Sequence, residues 1–299
     1  GGEPTLAGLD YFEYFVKTVS ELNIKKSPVF YSMQTNGTVV DEKWAEFLSA
    51  NKFLVGLSLD GDFEANKFRK KPGGDSSFYT IIDTARLLEK HKVDFNILTV
   101  LTGYCAENIE RIYSFFRFQR FGYLQFIPCL RPFGSTEKSE LYMTPEQYGD
   151  FLIKLFNLYV KDYVRHQYVS IRQFDNWVRL YLGQPTEQCG IMGHCSHQFV
   201  SEANGNIYPC DFYCTDEWLL GNINTPTESF DTLAHCEKAT EFLRESIAVP
   251  EECKKCRFYP ICRAGGCKRS KEDRNYCESY KAFFSACLPL FRAFIAEKK

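Results

Sequence analysis

Apolar residues recur in two alternating patterns along the first half of the chain. Over residues 9–24 they return every three or four positions, which predicts an amphipathic helix, and the apolar run 29–33 then predicts a strand. The alternation continues, with helices predicted over 41–50, 76–91 and 106–118 and strands over 53–59, 93–101 and 123–127. Helices that alternate with strands indicate an α/β fold with a parallel sheet.

The pattern changes after residue 131. A long helix is predicted from Thr144 and Pro145 to about residue 164, and a second amphipathic stretch over 172–182 leads into a cysteine-rich region. There, two short segments flank Asn204 and Gly205, which predicts a β-hairpin. Four strands are too few to close an eight-stranded barrel. We predict three parts: a parallel α/β part (1–131), a helical linker region (132–188) and a cysteine-rich domain with a C-terminal helix (189–299).

Composition excludes several classes of function. The 299 residues carry 36 Lys and Arg against 38 Asp and Glu, a formal net charge of −2, and no long basic stretch. Clustered positive charge is what holds phosphate backbones, so no nucleic-acid partner is expected. No apolar run is long enough to span a bilayer, so no membrane association is expected either.

Cysteine is the informative component, with 13 in the chain. Eight fall in a spaced pattern that a large intracellular enzyme would use for metal: Cys189, Cys195, Cys210, Cys253, Cys256, Cys262, Cys267 and Cys277. A disulfide framework suits small secreted domains instead, so we expect a cytoplasmic protein. Four thiolates per site suit tetrahedral zinc or a [4Fe–4S] cluster about equally. His194 and His197 could join a mixed site, although a hydrogen-bonded surface histidine explains each more simply.

The order of motifs resembles one enzyme family. The spacing from Cys195 through Gly205 to Cys210, and then from Cys253 to Cys277, resembles the SPASM domain of radical S-adenosylmethionine enzymes. GGEP, QTNG and SLDG resemble strand ends of the same enzymes, where a barrel places its active site. Along the whole chain, GGEPTLAGL, MQTNG, GLSLDG, QFIPC and CDFY most resemble the anaerobic sulfatase-maturating enzymes.

The resemblance implies a partial (β/α)6 radical SAM barrel that binds S-adenosylmethionine, followed by a SPASM domain with two auxiliary [4Fe–4S] clusters. The implied cofactor contacts are Gly1, Gly2, Glu3, Gln34, Ser58, Arg69 and Leu130. One cluster would take Cys189, Cys195, Cys210 and Cys267, and the other Cys253, Cys256, Cys262 and Cys277. A third cluster is expected on a CxxxCxxC loop upstream of this chain. The 299 residues alone are therefore expected to bind the cofactor poorly and to lack activity.

The implied reaction oxidises a cysteine or serine of a sulfatase to Cα-formylglycine. A 5′-deoxyadenosyl radical removes a β-hydrogen, the auxiliary clusters take the electron, and Asp211 takes the proton, with Asp175 as the reserve candidate. The implied partners are an unfolded or nascent sulfatase with a Cys/Ser-x-Pro/Ala-x-Arg motif and an electron donor such as flavodoxin or ferredoxin. Two alternatives stay open: another peptide modification, such as thioether formation, and a non-catalytic zinc-binding module.

Overall fold

The computed structural model describes residues 2–273 and 276–296. The chain divides into two compact units, Gly1–Arg172 and Gln173–Lys299. The long helix that was predicted as part of a linker therefore belongs to the first unit. The three-part division with boundaries at 131 and 188 stays a prediction.

In the described residues, the first unit is built on five parallel strands. They lie side by side in chain order: β1 Ser32–Thr35, β2 Leu54–Ser58, β3 Asp94–Leu101, β4 Tyr123–Pro128 and β5 Ser170–Ile171. This confirms the predicted α/β fold. The sequence pattern missed β5, because two residues are too few to show an alternation. It also placed β1 three residues early, because the apolar Val29 and Phe30 are 43% and 91% exposed.

Helices connect these strands. Their bounds are α1 Leu9–Leu22, α2 Glu42–Ala50, α3 Phe78–Lys90, α4 Gly103–Glu107, α5 Ile109–Phe118 and α6 Pro145–Val164. Of these, α2, α4 and α6 begin at side-chain caps. The Asp41 carboxylate accepts from the Trp44 amide at the start of α2, and Thr144 forms a capping box with Gln147 at the start of α6. The helix predicted over 106–118 is two helices, because Asn108 leaves the helical conformation between them (φ −102°, ψ 18°).

Alternation of side chains gives the sheet two different faces. Val55, Leu57 and Leu59 are fully buried on the face that the helices cover. Leu54 points the other way and is 48% exposed, and Gln34 of β1, which lies on the same second face beside Gly56, is exposed too. Parallel sheets are normally covered on both faces. The second face is therefore open to a ligand.

The second unit is made of short elements. Its helices are α7 Arg172–Tyr181, which begins at the last residue of the first unit, then α8 Phe230–Ala234, α9 Glu237–Ile247, α10 Glu251–Lys254, α11 Tyr259–Cys262, α12 Lys268–Asp273 and α13 Cys277–Ala296. Antiparallel strands β6 Val200–Ser201 and β7 Asn206–Tyr208 form the predicted hairpin around Gly205 (φ +84°). A third strand, β8 Gly221–Asn222, was missed because it is only two residues long.

An aromatic cluster forms part of the core of this second unit. Tyr213, Trp218 and Phe242 pack edge to face, with ring centroids 5.1 to 5.9 Å apart. Cys210 is buried in the same cluster, and Cys195 packs against it. The apolar core therefore continues directly into the cysteine-rich region. Where the chain is described, none of the helices combines the length and apolar character needed to cross a membrane.

Gly37→Ala is expected to destabilise the first unit more than Gly134→Ala does. Both glycines have left-handed backbone, with φ of +73° and +70°. At Gly37 a Cβ would lie 2.6 Å from Leu57 Cδ1, whereas at Gly134 it would meet nothing within 4 Å. The conformation costs about 1–2 kcal/mol in both variants, and overpacking adds about 1–3 kcal/mol at Gly37. Urea unfolding followed by circular dichroism measures both, and equal losses would contradict the steric contribution.

Candidate functional site

Polar groups line the open face of the five-stranded sheet. Strand register places Gln34 beside Gly56, Ser58 beside Leu98, and Leu98 beside Gln125. Gly56 keeps this face accessible, because a Cβ there would lie 2.6 Å from Leu98 Cδ1 and 3.3 Å from Gln34 Cγ. The structure thus brings two predicted cofactor contacts, Gln34 and Ser58, onto one face.

Two residues of this face were not predicted. Arg172, which follows β5, donates from Nη1 to the Gln125 side-chain oxygen of β4 at 2.9 Å. Gln125 could have been found from the sequence, because it is a polar residue at the start of the otherwise apolar segment QFIPC. Arg172 carried no signal, because β5 itself was not recognised.

Glu3 ties the GGEP segment to the end of β1. Its Oε1 accepts from the Thr5 amide (3.1 Å), the Thr5 hydroxyl (2.7 Å) and the Thr35 hydroxyl (2.6 Å), and its Oε2 accepts from the Asn36 amide (2.7 Å). Partial burial works to raise the pKa of Glu3, but these hydrogen bonds outweigh it and hold the pKa below its ordinary value. Both carboxylate oxygens are thus used inside the chain. Gly2 precedes it and is exposed, and Gly1 lies outside the described residues.

Arg69 is held by an aspartate of the SLDG segment. Its Nε and Nη2 donate to the two oxygens of Asp60 at 2.7 and 2.8 Å, and the Val100 amide donates to the same carboxylate at 2.8 Å. Asp60 is 6% exposed. The prediction of Arg69 as a cofactor contact did not foresee this partner, although Asp60 stands inside a motif that the sequence had already singled out. Leu130, half-buried, follows β4 at the same edge of the sheet.

The structure brings cysteines of the first predicted set together. The thiol of Cys195 lies close enough to those of Cys210 and Cys267 to interact with both electrostatically. Burial raises the pKa of Cys195 and of Cys210. The remaining member, Cys189, is the first residue of a short turn. Buried Asn176 fixes the segment before this turn, because the Asn176 side-chain oxygen accepts from the amides of residues 187 and 188 at 2.8 and 3.1 Å.

Two glycines let the chain segments of this set approach closely. A Cβ on Gly266 would lie 1.6 Å from the Gly190 carbonyl oxygen, and Gly266 has φ of +101°. No side chain can occupy that position without moving the backbone. Cys189 and Cys267 are the sequence neighbours of these glycines, so the close approach brings the two chain segments that carry them together.

Cysteines of the second predicted set are also neighbours. The thiols of Cys253, Cys256 and Cys277 all act on Cys262, whose pKa is raised to about 11, chiefly by burial. A backbone hydrogen bond from Gly265 works in the opposite direction. Arg263 and Ala264 just after Cys262 have left-handed backbone, with φ of +51° and +58°, which turns the chain tightly around this thiol.

The donor sets fit iron–sulfur ligation. Backbone amides point at sulfur: Lys268 N lies 3.5 Å from Cys195 Sγ, and Gly265 N–H bonds to Cys262. Such hydrogen bonds stabilise cysteine ligands of clusters. Among residues 2–273 and 276–296, no three His, Cys, Asp or Glu side chains converge on a single metal-ion position. His194 is exposed, while His197 packs against Phe199 and keeps Nε2 buried without a hydrogen-bond partner in the described residues.

Asp211 lies directly after Cys210, at the start of a short turn. Its Oδ1 accepts from the Cys210 thiol at 3.3 Å and from the Phe212 amide at 3.1 Å, and the residue is exposed. The reserve candidate, Asp175, is half-buried on α7. The carboxylate of Asp211 is therefore held beside the Cys210 thiol and is also exposed.

Comparison with known proteins identifies similar chains. Residues 1–117 match the family model of the radical SAM superfamily, and residues 191–257 match that of SPASM, an iron–sulfur cluster-binding domain. The chain is 44% identical, over 97% of its length and 80% of the relative's, to the cysteine-type anaerobic sulfatase-maturating enzyme of Clostridium perfringens. It is 30% identical, over 97% of its length and 75% of the relative's, to the serine-type enzyme of Bacteroides thetaiotaomicron.

Solved structures are similar as well. The structure of native anSMEcpe with bound AdoMet and Cp18Cys peptide has a TM-score of 0.93 and 42% identity, and the match covers 100% of this chain and 85% of the other. Streptococcus suis SuiB bound to the precursor peptide SuiA has a TM-score of 0.57 at 18% identity, covering 89% and 59%. The second is a likeness of fold alone.

Glu3→Gln is expected to destabilise the first unit by about 1–3 kcal/mol at pH 7, because an amide group replaces a carboxylate that accepts four hydrogen bonds. Since folding lowers the pKa of Glu3, its contribution is complete above the ordinary value of 4.5 and is lost as the pH falls through the lower folded value. The difference between parent and variant should therefore shrink at pH 4. Urea unfolding at both pH values measures it, with exposed Glu13→Gln as the control. A difference that stays constant would contradict the assignment.

Proposed function

The chain belongs to the anaerobic sulfatase-maturating enzymes of the radical SAM superfamily, and we propose that it oxidises a cysteine of a sulfatase polypeptide to Cα-formylglycine. The observation that carries this proposal is the greater identity to cysteine-type relatives, 42–44%, than to serine-type relatives, 27–30%. Membership of this enzyme family rules out the non-catalytic zinc module among the alternatives.

When bound, S-adenosylmethionine supplies a 5′-deoxyadenosyl radical and the [4Fe–4S] clusters carry single electrons. The strand-end residues Gly1, Gly2, Glu3, Gln34, Ser58, Arg69 and Leu130 would hold the cofactor. The two sets of four cysteines would hold two auxiliary clusters. The neighbouring thiols within each set, and the amide groups directed at their sulfur atoms, support this assignment.

The reaction removes two electrons from the substrate cysteine. The β-carbon loses a hydrogen atom, the thiol loses a proton and one electron leaves, so that a carbon–sulfur double bond forms. Water then adds to that carbon and hydrogen sulfide leaves, which produces the aldehyde. The chain must therefore hold a peptide in place, accept a proton and take up one electron from the substrate. Reductive cleavage of S-adenosylmethionine needs an electron as well, which a donor such as flavodoxin or ferredoxin would supply.

Asp211 is the proposed acceptor of the thiol proton. Cluster ligation requires Cys210 as a thiolate, which has no proton to donate and repels a carboxylate. The contact between Cys210 and Asp211 Oδ1 would then be lost, and the exposed carboxylate could turn to the substrate. Its place beside a cluster ligand supports this role, because the proton and the electron would leave the substrate toward the same side.

The open sheet face is the proposed place for cofactor and peptide in the first unit. Gln34, Ser58 and Gln125 offer donors and acceptors there, and the Arg172 guanidinium adds a positive charge. An extended peptide has a free backbone donor and acceptor at every residue. Amide side chains on a rigid sheet suit that recognition.

We expect the intact enzyme, reconstituted with its iron–sulfur clusters, to form an aldehyde on a Cys-x-Pro-x-Arg peptide faster than on the matched Ser-x-Pro-x-Arg peptide. Mass spectrometry of the hydrazone detects the product under anaerobic conditions. A peptide with alanine at the target position is the control. Equal rates on the cysteine and serine peptides would contradict the proposed preference, and no aldehyde on either would contradict the proposed reaction.

Asp211→Asn is expected to lower formylglycine production by about 10²–10⁴-fold, the usual contribution of a general base. Iron content and formation of 5′-deoxyadenosine should stay near parental values. Asp216→Asn, an exposed aspartate five residues on, is the matched control and should keep parental activity. Parental activity in Asp211→Asn together with loss in Asp175→Asn would transfer the role to the reserve candidate.

A further inference from the structure

Lys271 is a buried lysine without a carboxylate partner in the described part of the chain. It is 8% exposed and lies on α12. Its Nζ donates to the Gly193 carbonyl at 2.8 Å and to the Ser246 carbonyl at 2.6 Å. Carbonyl groups satisfy its hydrogen bonds but do not neutralise its charge, and an unneutralised buried charge is costly.

A neighbouring lysine shows the contrast. Lys268, on the same helix and 5% exposed, forms ion pairs with Glu272 and with Glu245, the latter at 3.0 Å. The chain therefore neutralises one of these two buried lysines with carboxylates and leaves the other with carbonyl groups only. Burial lowers the pKa of Lys271, so its charged form depends on other negative groups nearby.

The groups around Lys271 include cysteines of both predicted sets and residues that contact them. Its amide donates to the Cys267 carbonyl at 3.0 Å, and its side chain contacts Gly193 and Ser246. Ser246 Oγ in turn accepts from the Cys195 amide at 3.0 Å. The ionisable groups that act on Lys271 are the thiols of Cys195, Cys267 and Cys253. The first two belong to one proposed cluster and the third to the other.

We propose that Lys271 supplies a positive charge shared by the two auxiliary clusters, balances their thiolate ligands and raises both reduction potentials. This rests on the proposed cluster assignment. A reduced cluster carries one more negative charge than the oxidised one, so a nearby fixed cation favours the reduced form. Burial keeps water from screening the interaction.

The charge has a use in the reaction. One electron must leave the substrate after the hydrogen atom is removed, and a cluster with a higher potential accepts it more readily. Two of the three thiols that act on Lys271 belong to the set that contains Cys210, the neighbour of Asp211. The effect should therefore be larger on that cluster, with a smaller effect in the same direction on the second.

The test is the midpoint potential of each auxiliary cluster, measured by anaerobic redox titration with electron paramagnetic resonance on the holoenzyme. Lys271→Met and Lys271→Gln remove the charge, and Lys271→Arg keeps it. Lys281→Met is the matched control. It removes an exposed lysine that pairs with Glu278 and is near the second set. Iron and sulfide content are measured for every variant.

We expect both neutral variants to lower the potential, and the ratio of reduced to oxidised cluster at a fixed applied potential to fall about tenfold, equivalent to about 59 mV for a one-electron couple. Lys271→Arg should stay near the parent, and Lys281→Met should shift less, because water screens its charge. Full iron in the arginine variant with loss of iron from both neutral variants would also support the proposal, since the charge separates them.

Three results would overturn it: parental potentials in the neutral variants, an arginine variant that shifts as far as the neutral ones, or loss of iron from all three variants. The first would show that the charge has no influence, and the other two that side-chain shape is what matters. Failure of the cluster assignment is separate, because it would appear in the parent enzyme as iron and sulfide too low for the two auxiliary clusters.

Discussion

The first unit depends on the two-residue alternation of side chains in its parallel strands. One set of side chains, including Val55 and Leu57, is buried under helices and holds the sheet together. The other set faces an open surface and is free to be polar, as Gln34 and Gln125 are. A parallel sheet also ends all its strands at one edge, so motifs that are distant in sequence meet there. Stability and ligand binding are thus separated onto two faces of the same five strands.

Hydrogen bonds to two carboxylates at that edge fix the conformation of the open face. Glu3 joins the segment before α1 to the end of β1, and Asp60 joins the end of β2 to β3 and to Arg69. Each carboxylate receives three or more hydrogen bonds, which fix the ends of strands that would otherwise fray. The hydrogen bonds of Glu3 and Asp60 therefore hold the ends of the strands in place. Neighbouring backbone groups and side chains remain available to a ligand.

The second unit depends on its cysteines more than on regular structure. Its strands have two or three residues, and its aromatic core continues into the thiols of Cys195 and Cys210. Burial raises the pKa of these thiols, so thiolate formation needs a compensating positive charge. The iron ions of a bound cluster would supply most of this positive charge. Lys271 and the amide groups directed at sulfur would add to it from the protein. With clusters bound at the proposed cysteines, folding of this unit and cofactor binding would therefore be coupled.

The sequence by itself determined the parallel α/β character, the hairpin around Gly205 and the eight spaced cysteines, because periodicity and spacing are local properties of the chain. It could not show β5, whose two residues carry no pattern, nor the pairing of Arg69 with Asp60, which depends on how a loop returns to its strand. Lys271 is the clearest case. In a polar helix it would be taken for a solvated lysine, and only the packing of segments 193 and 246 around it, 78 and 25 residues away, buries its charge among the thiols.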